Sequence, residues 1–160
     1  FSAGATASAA ERARRERAEA LLAAHAQRVA DFLGDAIVNA ANEQCLGGGG
    51  VDAVVNRVGG DAMVAARAGL PVLDAGAGVR CYTGGAVVTP GFGLRGRVCI
   101  HAVGPDYRAC KGAEAGLARA DRALYRAYVA VMWQAAAAGA LAAAAAQAEE
   151  PATRERKRQV

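Results

Sequence analysis

Apolar and polar positions are arranged in two textures along this chain: short branched-apolar runs near the middle and long alanine-rich stretches at both ends. Residues 11–33 alternate arginine and glutamate at first, then gather Leu21, Leu22, Val29, Phe32 and Leu33, which predicts a helix with a solvated start. DAIVNAAN, residues 35–42, is different: Ala36, Ile37 and Val38 form a compact run closed by Asn39. That pattern predicts a buried central strand whose carboxyl end opens into a polar loop. Beyond the loop, Val51, Val54, Val55 and Val58 fall within an arc of about 100° on a helical wheel. They predict a helix packed on a sheet, with Asp52 and Asn56 turned away from the core. Gly59 and Gly60 interrupt that helix, and a second helical stretch is expected over 61–67.

Residues 86–89 and 97–103 are β-branched segments joined by PGFGLRG, a hairpin or bulged hairpin. A helix rich in Ala, Leu and Tyr follows over 114–134, then an alanine-rich helical extension and the charged end RERKRQV. Strand, loop, helix, strands and helix together indicate an α/β fold, in which ligands bind beyond the carboxyl ends of strands. Three regions follow: a charged amino-terminal helix or extension (1–33), a core (34–134), and an alanine-rich helix with a basic tail (135–160).

Composition narrows this picture. The chain has 160 residues, 54% hydrophobic, enough for one domain, but much of that is alanine and only 5% is aromatic. The net charge is +4, yet residues 34–110 balance six acids against six bases, so the basic excess lies mainly in the tail. Without aromatics among those bases, no specific nucleic-acid surface is expected. Cys45, Cys81, Cys99 and Cys110 form no CxxC pair and have no histidine at ligand spacing, so neither zinc nor a disulfide framework is implied. Scattered reduced thiols in an intracellular protein, of no particular compartment, are the expectation. The start at Phe1 fits a processed or incomplete amino terminus, while Glu11, Glu16 and Glu19 argue against a transit region. Residues 127–148 are uncharged but mostly alanine, so no membrane span is expected.

The candidate chemistry sits at GGGGVD, residues 47–52. Glycine amides running into a helix amino terminus form a concave set of donors suited to a phosphate or diphosphate. The nucleotide P-loop pattern needs Lys and Ser or Thr after its glycines, and here Val51 and Asp52 follow. The residues therefore support an anion-cradling loop with an acid and two amides nearby; a structural turn with Asp52 stabilising a helix start remains the alternative. His25 lies among alanines, and His101 inside the second β-branched strand is expected as a core or rim histidine, not a base.

DAIVNAANEQCLGGGGVDAVVNRVGG strongly resembles the macrodomain signature, and CYTGGAVVTPGF and VCIHAVGP resemble that family's next two blocks, in order. The resemblance covers 35–133 and is closest to the MacroD-type ADP-ribosyl hydrolases. It implies a three-layer α/β/α domain with a mixed sheet that binds ADP-ribose. In this subclass it also implies hydrolysis of ADP-ribosyl esters on acidic side chains, or of O-acetyl-ADP-ribose. Its partner would be ADP-ribose or an ADP-ribosylated protein, with no cofactor and no metal. Asn39 and Asn42 would flank the distal ribose, Gly48, Gly49 and Gly50 would wrap the diphosphate and distal ribose with Gly47, Val51 and Asn56 also at the ligand, and Asp52 would orient or activate the attacking water. Asn56 stands where the subclass has a histidine, and as an amide it cannot titrate near neutrality. No counterpart is found of the early Gly-Asp segment that supplies an acid to the adenine. The second phosphate loop is likewise not found after Trp133, so an incomplete, truncated sheet is expected, with the apolar face of Ile37 and Val38 partly uncovered. Two other functions stay open: an ADP-ribose-binding module without turnover, and a fragment whose alanine-rich helices serve only protein contact.

Overall fold

A computed structural model of the chain describes residues 8–110 and 114–156; the segments 1–7 and 157–160, the latter closing RERKRQV, lie outside the described residues, as does the side chain of His25. Helix α1 spans Ala9–Ala30. It opens with a reciprocal cap: the Glu11 amide donates to Ser8 Oγ (3.2 Å) and the Ser8 amide to Glu11 Oε2 (2.7 Å). Bonding to Ser8, through its backbone first, holds the Glu11 carboxyl below its ordinary range.

Strand β1 (Gly34–Ala41) leads through the glycine loop into α2 (Val51–Ala68). Strands β2 (Ala86–Pro90) and β3 (Gly96–Val103) form the expected hairpin, a short 3₁₀ turn covers Tyr107–Cys110, and α3 runs over Glu114–Arg156, taking in the alanine-rich extension. The sheet order is β1-β3-β2. β1 pairs with β3 in parallel, placing Asn39 opposite His101, and β2 pairs with β3 antiparallel, placing Thr89 opposite Cys99. The sheet is therefore mixed, with β3 at its centre. This corrects the expectation that 35–42 is the central strand. Among the described residues β1 is bonded on one side only, and its residues alternate: Ile37 faces α2 and is 3% exposed, while Val38 faces the other way and is 48% exposed.

Helices α1 and α2 lie on one face of the sheet and α3 on the other, giving three layers. The core between α2 and the sheet joins Ile37, Val54, Val55, Met63, Leu94 and Cys99, with Val51 and Val58 packed at its margin, so the valine arc faces the sheet as its spacing predicts. On the opposite face α3 buries Ala120, Ala123 and Ala127, and Gln134 Nε2 ties it to the Ala86 carbonyl (3.1 Å). Alanines fill little space. A groove of about 710 Å³ remains between Val38, Ala40 and Ala102 of the sheet and Leu124 and Tyr128 of α3. Among the described residues no helix is long and apolar enough to cross a membrane.

Candidate ligand site at the glycine loop

The site is assembled from the carboxyl end of β1, the loop after it, and both halves of α2. Asn42 closes the loop onto itself: its Nδ2 donates to the Gly47 carbonyl (2.9 Å) and its Oδ1 accepts from the Cys45 amide (3.0 Å). Cys45 is thereby held at φ 57, an uncommon conformation for a residue with a side chain. From the other side, Glu43 pins the loop to the CYTGG block. Its carbonyl accepts from the Arg80 and Cys81 amides (2.8 and 3.0 Å), and its Oε1 accepts from the amide and hydroxyl of Thr83 (both 2.8 Å).

Gly50 is the residue before α2, at φ 63 and ψ −132, and no side chain caps the helix behind it. That conformation is nearly closed to residues with a Cβ, so the glycine is required by the turn itself. The uncapped first turn leaves amide donors at the positive end of the helix dipole, and Gly48, Gly49 and Gly50 are exposed beside them.

Beneath this rim lies a buried polar cluster. Asp52 is 2% exposed and Arg67 fully buried. Asp52 Oδ1 accepts from Asn39 Nδ2 (2.7 Å) and from Arg67 Nη1 (2.6 Å). Asp52 therefore does not look away from the core, as the wheel predicted; it points inward onto a buried cation. The wheel treats α2 as straight, but Gly60 sits at φ 69 and ψ −167 and breaks it. In an unbroken helix, fifteen residues would separate Asp52 from Arg67 by about 22 Å. The kink folds the second half back so that Arg67 reaches under the first turn.

Arg67 Nη1 also donates to Asn56 Oδ1 (2.6 Å), and Arg67 Nε donates to the Cys45 carbonyl. Asn56 Nδ2 donates to the Leu46 carbonyl (3.1 Å), so both ends of this amide are engaged. The second Asp52 oxygen, Oδ2, is buried and has no hydrogen-bond partner among the described residues. A Cβ on Gly48 would come within 3.2 Å of that oxygen and 3.7 Å of Asn42 Nδ2, so the bare backbone lies between the acid and the rim amide.

Asn39 has no exposed surface, and its Nδ2 also meets His101 Nδ1 (3.0 Å). An amide NH₂ only donates, so Nδ1 accepts, and the ring proton on Nε2 faces Thr89 Oγ1 (2.9 Å), which in turn donates to Met63 Sδ (3.3 Å). Burial first, and the Arg67 charge second, push His101 down to about 4. The neutral ring fits its place as a core histidine. Cys45 and Cys81, far apart in sequence, meet as two buried free thiols. The Cys45 thiol is raised by its hydrogen bond with Cys81 and then by burial, while the same bond lowers Cys81. Burial pushes Cys99 up to about 12.

The residues singled out from sequence thus separate into two tiers. Asn42, Gly48, Gly49 and Gly50 form the rim, Gly47 and Asn56 are half-buried beside it, and Asn39 and Asp52 form the floor. Val51 packs against the core margin and also lines the apolar groove beside Val38 and Ala40. Arg67, Thr89 and Glu43 were not singled out. The available signal for Arg67 was a single arginine inside the apolar stretch AMVAARAG. An open groove of about 640 Å³ adjoins the rim at the carboxyl ends of β1 and β3, lined by Asn42, Gln44, Thr83, Gly104 and Arg108 among others.

Residues 38–154 match the Macro domain family. The chain belongs to the Macro domain family. This macrodomain is 49% identical over 74 residues to a macro domain-containing protein of Xanthomonas campestris, a match covering 46% of the chain and 40% of that protein. It is 43% identical over 88 residues to an O-acetyl-ADP-ribose deacetylase of Salmonella newport, covering 52% of the chain and 44% of the enzyme. Among solved structures it resembles the Oceanobacillus iheyensis macrodomain with ADP, with a TM-score of 0.52 and 30% identity over 64% of this chain and 50% of that one. The macrodomain chain thus spans less than half the length of the curated relatives it matches.

Proposed function

We propose that this macrodomain binds ADP-ribose through the glycine-loop amides and hydrolyses ADP-ribosyl esters, either on mono-ADP-ribosylated protein or in O-acetyl-ADP-ribose. One observation carries the reading. Asp52 has one oxygen saturated by Asn39 and Arg67, and the other buried, unpartnered and directly beneath Gly48. A diphosphate seated on the loop amides would bring the ribose over this oxygen, which accepts a proton from water as the water attacks. The ester bond breaks, and the acid and the ribose hydroxyl leave as separate products. Asn42 stands at the rim where a ribose hydroxyl would lie, and Asn39 holds the carboxylate from below. The reading calls on no metal or cofactor, and it has the protein act inside the cell.

A second reading has its own support. Asn56 has no titratable proton, and both of its polar ends are engaged by Leu46 and Arg67. On that basis the chain is a module that binds ADP-ribose without turnover. Calorimetric titration with ADP-ribose, followed by hydrolysis assays on wild type and Asp52→Ala, separates the two. The hydrolase reading expects binding in both and turnover only in wild type. Turnover surviving in Asp52→Ala would refute the mechanism, binding without turnover in wild type would favour the module, and absence of binding by a folded sample would refute both.

A further inference from the structure

We propose that Arg67 is the positioning residue of this site: one buried guanidinium sets the glycine loop and the Asp52 carboxylate in register before a ligand arrives. Its bonds go to three places. Nε holds the Cys45 carbonyl in the loop, and Nη1 holds Asp52 Oδ1 and Asn56 Oδ1 on the first turns of α2. The sheet and the Ile37–Met63 core receive none of its hydrogen bonds. A buried ion pair is weak evidence for stability, since apolar replacements of the whole pair are often neutral or better. The consequence of burying this cation therefore lies in the geometry it imposes.

That geometry has two effects. By occupying Oδ1, Arg67 and Asn39 leave Oδ2 as the one free carboxylate oxygen, aimed at Gly48. By holding the Cys45 carbonyl while Asn42 holds the Cys45 amide, Arg67 fixes a residue that stands in the left-handed region at φ 57. The loop that follows is thereby set without a ligand. Charge matters as well. A lone carboxylate under a cradle for a diphosphate would repel it, and the guanidinium cancels that charge at 2.6 Å. Lysine keeps the charge but offers a single nitrogen, which cannot span the separate acceptors that Nε and Nη1 serve.

The loop part of this proposal stands by itself; its effect on ligand rests on the function proposed above. The test is Arg67→Lys, followed by NMR order parameters of the Gly47, Gly48, Gly49 and Gly50 amides in the free chain, ADP-ribose titration, and hydrolysis kinetics. The expected result is a cooperatively folded protein with a mobile loop, ADP-ribose affinity down about tenfold or more, and kcat reduced beyond that. Loop order and affinity equal to wild type would overturn the proposal. If wild type itself binds no ADP-ribose, the proposed function fails, and loop order in Arg67→Lys alone decides the role of Arg67. If Arg67→Lys does not fold, the paired variant Asp52→Leu/Arg67→Met removes both charges and is expected to fold with a mobile loop. An ordered loop in that variant, or its failure to fold, would assign the pair to stability and overturn the proposal.

Discussion

Acid should loosen this fold through one histidine. In the folded chain His101 is held to about 4, because burial and the nearby Arg67 disfavour its charged form. Unfolded, it returns to its ordinary value of 6.5. Between these values the unfolded chain binds more protons than the folded one, so the stability from keeping His101 neutral is complete above pH 6.5. It is lost as pH falls toward 4. The difference corresponds to about 3 kcal/mol, a large part of the stability of a small domain. Protonation has a local meaning too. His101 Nδ1 accepts from Asn39, so a proton there turns two donors toward each other and releases the amide that holds Asp52. The assay is urea denaturation at steps from pH 7.5 to 4.5, on wild type and on His101→Gln, which has no proton to gain. Comparing the two removes the contribution of carboxylates that titrate in the same range. Wild type should lose roughly 2–3 kcal/mol more than His101→Gln across this window, which stops just above the folded value. Parallel pH dependences in the two proteins would refute the reasoning.

Two further perturbations address the loop. Gly50→Ala forces a Cβ into a backbone at φ 63 and ψ −132; thermal melting should show a loss of roughly 1–3 kcal/mol, and an unchanged melting temperature would show that the turn relaxes freely. Asn42→Ala removes the bonds to Gly47 and Cys45 from an exposed position, so stability should fall by only about 1 kcal/mol while ADP-ribose affinity falls more steeply. Equal affinity in Asn42→Ala and wild type would show that the loop does not depend on its own amide clasp.

Local pattern decided more of the fold than of the site. The valine spacing of 51–58 specified a helix and the face it buries, because apolar periodicity has one solution when a helix lies on a sheet. β-Branched runs around PGFGLRG specified the β2–β3 hairpin, and the run of glycines marked where backbone must take conformations closed to other residues. These properties depend on neighbours within a few positions, so the order of residues determines them. The edge position of β1 was beyond reach, since Ile37 and Val38 read alike until pairing with β3 puts one inside and leaves the other half-exposed. The orientation of Asp52 was beyond reach for the same kind of reason. A helical wheel knows nothing of the turn at Gly60, and only that turn carries Arg67 back across fifteen residues to meet it. Cys45 and Cys81, separated by a helix and a long loop, likewise come together only in the folded chain. The sequence by itself determined which segments form which elements and where the backbone turns through glycines into a helix. Tertiary structure alone decided which oxygen of the acid is left free, because that depends on a buried charge that must find its partner through space and not along the chain.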